Sequence, residues 1–188
     1  MVALDISVTL PKRDYSASGK EMMEAASRGV SNLVIRHLRA RNMSRPPDRR
    51  GMPKSNYYAD AADSVTTEAH ETTANVTIRK EGLLLHWKGG EVRPKPGKRA
   101  LAIPVDPSVA TIWPSEAGGI ATGGDEDDGR YALVWPNNST HGWIKDTETG
   151  DMMWLLVPKV TVRADPDVLP SDGDIRDAAL DAVGEMFA

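Results

Sequence analysis

Residues 81–105 read EGLLLHWKGGEVRPKPGKRALAIPV, and how this stretch folds decides how the rest of the chain is organised. Leu83, Leu84, Leu85 and Trp87 form a short apolar run after a turn glycine, and Ala100 to Val105 form a second. Pro94, Pro96 and Gly97 punctuate the space between them. The pattern predicts a β-ribbon whose connecting loop carries Lys88, Arg93, Lys95, Lys98 and Arg99. It holds no catalytic constellation.

Working upstream, Thr73 to Arg79 and Gly82 to Trp87 read as a hairpin turning at Lys80, Glu81 and Gly82, with Val76 and Ile78 on one side. Ala3 to Leu10 alternates Leu4, Ile6, Val8 and Leu10 with Asp5, Ser7 and Thr9, the period of a half-buried strand that Pro11 ends. From Ser18 to about Arg41, Met22, Met23, Ala26, Val30, Leu33, Val34 and Leu38 recur at helical spacing. Ser18 is placed to act as N-cap, with Glu21 as its capping-box partner. Gly29 inside this helix costs roughly 1 kcal/mol relative to Ala, so a neighbouring element is expected to approach closely there. Asn42 to Asn56 is expected to be a mobile basic loop, because Pro46, Pro47, Gly51 and Pro53 deny it regular structure while Arg45, Arg49, Arg50 and Lys54 charge it. Tyr57 to Asp63 then predicts a short helix carrying the paired tyrosines.

Downstream of Val105, periodicity is lost until Gly129. Gly118, Gly119, Gly123 and Gly124, together with Asp125, Glu126, Asp127 and Asp128, predict a flexible acidic loop over 118–129. Tyr131 to Trp135, His141 to Lys145 and Met152 to Val162 have strand composition and predict an antiparallel meander. Ser171 to Met186 closes as an amphipathic helix, with Asp172 and Asp174 near the positive end of its dipole. The expected fold class is α+β: a long N-terminal helix and a C-terminal helix packed on an antiparallel sheet, with two extended loops. At 188 residues and 40% hydrophobic content, length favours one domain spanning 1–188.

The formal net charge of -4 conceals an asymmetry. Residues 1–105 hold 18 Lys+Arg against 11 Asp+Glu, a net of +7, whereas residues 106–188 hold 5 against 16, a net of -11. Such segments can fold against one another or present complementary patches to other copies. The chain has no cysteine, which removes disulfides, thiolate metal sites and cysteine nucleophiles. No apolar run approaches the roughly 20 residues of a membrane span, and no basic-then-apolar leader opens the chain, so a cytosolic product without membrane contact is expected.

Four histidines, His37, His70, His86 and His141, are scattered, with no i, i+4 pair to place two imidazoles on one helical face. His86 beside Trp87 reads as a structural histidine. Asp125 to Asp128 lacks the alternating ligands and the distal bidentate Glu of an EF-hand, since Pro136 falls where that Glu belongs. Glu81, Glu91 and Lys95 are the candidates for metal-dependent nuclease chemistry, and their spacing fits no two-metal pattern. Neither a phosphate-binding G-x-x-x-x-G-K-[ST] loop nor a G-x-S-x-G elbow is present. The expectation is a non-enzyme without metal or cofactor.

Two segments carry a resemblance. Gly89-Gly90, Val92, Pro94, Lys98, Leu101, Ile103 and Pro104 within GL..HW.GGEVRPKPGKRALAIPV resemble a signature of the bacteriophage virion morphogenesis proteins, the tail-completion family of Mu-like phages and prophages. VPKVTVRADPDVLPSDGDIRDAALDAVGEMFA, residues 157–188, is similar to that family's closing strand, DP..LPS turn and final helix. With the basic helix from Glu21 to Arg41 and the segment NYYADAADSV, the likeness runs over roughly the whole chain. It implies a structural protein at the head–tail neck or proximal tail end, located in the virion and made in the host cytoplasm. Its partners would be copies of itself in a ring, and phage neck, connector or tail proteins. A tail terminator is a neighbouring alternative.

The cations named above, with Arg36, Arg39 and Arg41, admit two uses. They would contact the phosphates of passing DNA without reading bases, or they would meet Asp125, Asp127 and Asp128, or Asp172 to Asp181, on an adjacent subunit in a heterologous, ring-closing contact. An acidic pI and the absence of interleaved aromatics favour the protein contact. A nonspecific DNA-binding accessory protein remains the competing class, and it predicts steeply salt-dependent duplex binding. Deleting Arg45 to Gly51 is expected to spare folding of the monomer and to block incorporation into particles, which a comparison of circular dichroism with particle composition checks.

Overall fold

The computed structural model describes residues 3–9, 19–46, 52, 55–117, 120–121 and 129–188. In chain order the elements are β1 (Leu4–Thr9), α1 (Gly19–Ser44), α2 (Tyr57–Asp63), β2 (Val65–Ala69), β3 (Thr73–Ile78), α3 (Leu83–Lys88), β4 (Gly90–Val92), β5 (Leu101–Pro104), β6 (Ile120–Ala121), β7 (Tyr131–Val134), β8 (Gly142–Asp146), β9 (Met152–Val157), β10 (Val160–Val162) and α4 (Asp172–Gly184). This is an α+β fold with a long N-terminal helix and a C-terminal helix. Among the described residues, no helix is long and apolar enough to cross a membrane.

The chain divides into two compact units, where length alone led to an expectation of one domain. The first comprises residues 1–45, 56–90 and 163–188, and the second residues 46–55 and 91–162. Each has its own apolar cluster, and that is the physical reason for the division.

In the first unit, β1, β3 and β2 form an antiparallel sheet in that order, with Leu4 opposite Ile78 and Val65 opposite Ile78 on the other side. Alternation does what its period requires: Ala74, Val76 and Ile78 of β3 and Leu4 and Val8 of β1 are buried, and Ile6 packs against the same cluster. The buried stripe of α1, including Met22, Ala26, Val30, Val34 and Leu38, covers this face. The Met, Val and Leu side chains among these each contribute roughly 1.5–3 kcal/mol when fully buried. The helix runs three residues past the expected end at Arg41, so Asn42 to Ser44 are helical and only the remainder of 42–56 belongs to the proline-rich connection. The expected N-cap Ser18 and the strand-ending Leu10 and Pro11 lie outside the described residues.

Helix α4 packs on α1, and Gly29 is the point of closest approach. A Cβ built there would stand 2.3 Å from the Ala178 carbonyl oxygen and 2.7 Å from the Ala182 Cβ, distances no real side chain sustains. The start of α4 is fixed by a capping box: Ser171 Oγ accepts from the Asp174 N–H at 3.2 Å, and the Asp174 carboxylate accepts from the Ser171 N–H at 3.3 Å. That satisfies two otherwise orphaned groups.

The hairpin expected from Thr73 to Trp87 is corrected in two places. Its first strand is real, but it pairs backwards with β2 across the turn at His70 to Thr72, where the His70 N–H donates to the Thr73 carbonyl at 2.8 Å. Its second strand is the helix α3. Gly82 takes the left-handed conformation, φ 83°, and the chain turns into a helix whose one fully buried side chain is Leu83. Three leucines and no β-branched residue suit a helix better than a strand. The β-ribbon expected over 81–105 therefore reduces to β4 and β5, which do not pair with each other; β4 pairs with β10 and β5 with β9.

In the second unit a five-stranded sheet runs β5-β9-β8-β7-β6, antiparallel except for the parallel β6–β7 pair. The expected meander is present as β7, β8 and β9, with a bulge between Ile144 and Lys145. Its third segment, expected as one run from Met152 to Val162, breaks after Val157, and Val160–Val162 pairs with β4 in a separate sheet. Trp154 is its most buried large residue, and its ring meets Tyr131 edge-on at 5.2 Å. Asp146 is buried at the end of β8 and accepts from the Glu148 N–H at 2.9 Å and the Thr149 N–H at 3.2 Å. These bonds close the turn into β9 and hold its carboxyl below the usual range despite burial.

Candidate functional site

The cations singled out by sequence fall into three groups. Arg49, Arg50 and Lys54, and the acidic residues Asp125, Asp127 and Asp128, lie outside the described residues. Arg45 and Lys88 belong to the first unit, at the ends of α1 and α3. Arg93, Lys95, Lys98 and Arg99 belong to the second, between β4 and β5.

In the second unit, half of the loop cations are engaged internally. The Glu91 carboxylate accepts from Arg93 Nε at 2.5 Å on one oxygen and from Lys159 Nζ at 2.6 Å on the other. The Lys159 bond, seconded by Arg93, keeps its carboxyl below the ordinary range. Both oxygens of the carboxylate considered for nuclease chemistry are thus committed to an ion trio. Arg99 lies over Trp135, its guanidinium carbon 3.9 Å from the ring centroid, while Trp135 Nε1 donates to the Ser139 carbonyl at 2.9 Å. Cation–π contact of this kind contributes roughly 0.5–1 kcal/mol when exposed. Lys95 and Lys98 bracket a turn closed by the Lys98 N–H on the Lys95 carbonyl at 2.9 Å, with Gly97 at φ 81°. Their ammonium groups have no partner among the described residues.

In the first unit, four segments converge on the end of α1. Arg41 pairs with the Asp165 carboxylate, donates to the Asp167 carbonyl at 3.0 Å, and stacks 5.3 Å from the Tyr58 ring centroid. His37 Nε2–H donates to the same Asp167 carbonyl at 2.8 Å. The Asp165 N–H in turn caps the end of α3, donating to the His86 and Trp87 carbonyls at 3.0 and 3.2 Å. His86 meets the Tyr57 ring at a tilt, with centroids 5.0 Å apart, and the Tyr58 ring edge-on at 6.2 Å. The DP..LPS segment thus acts as a clasp: Asp165 caps a 3-10 turn at Pro166–Val168 and ties α1 to α3 before Ser171 starts α4. Lys88 leans over its neighbour Trp87 at 5.0 Å.

Two titrations report on this junction. Burial, aided by the neighbouring Tyr58 and Glu81, pushes the Tyr57 hydroxyl from 10.0 up to about 12, and that hydroxyl donates to the Glu81 carbonyl at 2.8 Å. A raised folded value means its stabilisation is complete below the unfolded pKa and is lost as pH rises through the folded one. Melting temperature is expected to fall between pH 10 and 12, a phase that Tyr57→Phe removes. Burial and the charges of Arg45 and Arg41 lower the His86 pKa from 6.5, with Asp165 opposing. A depressed histidine stabilises fully above its unfolded pKa and loses that contribution as pH falls through the folded value. Acidification below about pH 6.5 is therefore expected to destabilise the first unit, less so in His86→Gln. An NMR titration of Arg45→Ala should show the His86 pKa moving upward.

A further surface was legible only as two helical stripes. Arg28 and Arg36 on α1, Asp177 and Asp181 on α4, and Glu185 just beyond its end, line one open groove of about 980 Å³ between those helices. Arg28 escaped the sequence reading; its spacing of eight from Arg36 was the available signal. Among the described residues, no group of three or more His, Asp and Glu side chains is arranged to hold a metal ion. Compared with known proteins, the chain matches no family model, and no curated protein and no solved structure is significantly similar to it.

Proposed function

We propose that this chain is a structural virion morphogenesis protein of a tailed bacteriophage or prophage, acting at the head–tail neck or proximal tail end in tail completion and head–tail joining. One observation carries the reading: both segments that resemble the tail-completion family coincide with the framework of the fold. The Gly89-Gly90 step leads into β4, the Leu101–Pro104 run is the edge strand β5, and the DP..LPS segment is the clasp that ends in the α4 capping box.

The action is stoichiometric. Subunits bind a preceding ring on the growing particle and together create the surface that the next component needs, so affinity and symmetry take the place of turnover. Lys95 and Lys98, free of partners among the described residues, supply cations to a neighbouring acidic surface, and the connection 42–56 supplies further ones. Deleting the coding region from the phage or prophage genome that carries it, then imaging an induced lysate, checks the reading. Unjoined heads and tails are expected, and complete particles in unchanged yield would overturn it. Steep, salt-sensitive binding to duplex DNA of any sequence, with normal particles, would favour the accessory DNA-binding class.

A further inference from the structure

We propose that two free copies of this chain pair through the groove between α1 and α4, in a two-fold contact that sets the basic wall of each copy on the acidic wall of the other. The groove has walls of opposite sign. Arg28 and Arg36 stand on α1, Asp177, Asp181 and Glu185 stand on α4 and its terminal turn, and all five are exposed. None of the five makes an ion pair among the described residues, so the walls face each other across solvent without neutralising one another.

The two walls also match in length. Arg28 to Arg36 and Asp177 to Glu185 each cover eight steps, about 12 Å at the helical rise of 1.5 Å per residue. The floor is small side chains, Gly29, Ala178 and Ala182 among them, which leaves room for arginine stems entering from above. Symmetry then selects the arrangement. A two-fold axis lying along the groove maps each wall onto the opposite wall of the facing copy, placing arginines over carboxylates on both sides at once. An axis across the groove would set like charges on like, at a cost. A patch that carries both halves of its own complement closes at two copies, and this distinguishes it from the head-to-tail contacts of a ring. The pairing belongs to the free chain and does not depend on the assembly reading.

Sedimentation equilibrium of the full chain tests this, with Arg28→Glu/Arg36→Glu, with Asp177→Arg/Asp181→Arg, and with an equimolar mixture of the two. All four substituted residues are exposed, and circular dichroism verifies the fold of each variant. The chain is expected to sediment as a dimer whose dissociation constant rises at least tenfold between about 50 and 300 mM salt as screening shortens. Each variant alone is expected to be at least tenfold weaker, because its two walls now share a sign. The mixture should recover a heterodimer. A wild-type chain that stays monomeric, variants that dimerise like the wild type, or a mixture that does not recover would each overturn the proposal. A larger closed oligomer would overturn the two-fold contact while supporting ring assembly.

Discussion

Trp154→Ala is expected to lower stability by about 3–5 kcal/mol, the largest effect of any single truncation in the second unit. The indole is 1% exposed, on an interior strand paired with β5 on one side and β8 on the other. It contacts Tyr131 edge to face, at an interplanar angle of 80°, so truncation removes an aromatic pair as well as buried area. The small cluster has little to fill the void with: its other buried members are Val109, Tyr131, Ile144, Met153 and Leu156. Against a typical domain stability of about 5–15 kcal/mol, such a loss is a large fraction of the whole. Denaturant unfolding followed by near-UV circular dichroism measures it. Trp154→Phe, which keeps an aromatic ring, should retain most of the stability, and equal losses for Phe and Ala would show that ring packing is not what the site depends on.

Gly29→Leu is expected to be the most disruptive change in the first unit, at about 3 kcal/mol. Propensity alone argues the other way, since a glycine inside a helix costs roughly 1 kcal/mol relative to alanine. The geometry decides against propensity. The first atom of any side chain at this position meets a backbone carbonyl at 2.3 Å, and a carbonyl in the middle of α4 cannot swing aside as a side-chain tip can. Helix α4 must move away from α1 or bend. Gly29→Ala should already destabilise, by about 1–2 kcal/mol after the propensity gain is subtracted, and leucine should do more. If thermal melts showed Gly29→Ala to be stabilising, the α1–α4 contact would be looser than this packing requires. The same substitutions should weaken the dimer, since they change the spacing between the two charged walls.

The long-period features of the fold were legible because they depend on local pattern. Helix α1 follows from Met22, Ala26, Val30, Val34 and Leu38 at helical spacing, and the cost of Gly29 pointed to the close approach that Ala178 makes. The alternation of β1 and the strands β7, β8 and β9 of the meander are equally local. Leu83 to Trp87 was misread because a short apolar run carries no period of its own. What settles it is tertiary: the left-handed Gly82 and the Asp165 N–H that caps the far end of α3. The division into two units could not be read from local pattern, since each gathers segments far apart in sequence around its own cluster. The charged loops were visible as composition, but composition does not say that Arg93 is spent on Glu91 or Arg99 on Trp135. The stripes of α1 and α4 were present in the spacing of Arg28 with Arg36 and Asp177 with Asp181. That they line one groove follows only from how the two helices pack.

Adding purified chain to a lysate from a phage or prophage lacking it, and counting complete particles against the number of copies added, tests stoichiometric assembly most directly. The account predicts that particle yield rises in proportion to added chain and saturates at a fixed, multiple number of copies per particle. Full recovery from far fewer copies than particles would mean turnover, and no recovery at any dose would mean that the chain is not the missing assembly component; either result contradicts it.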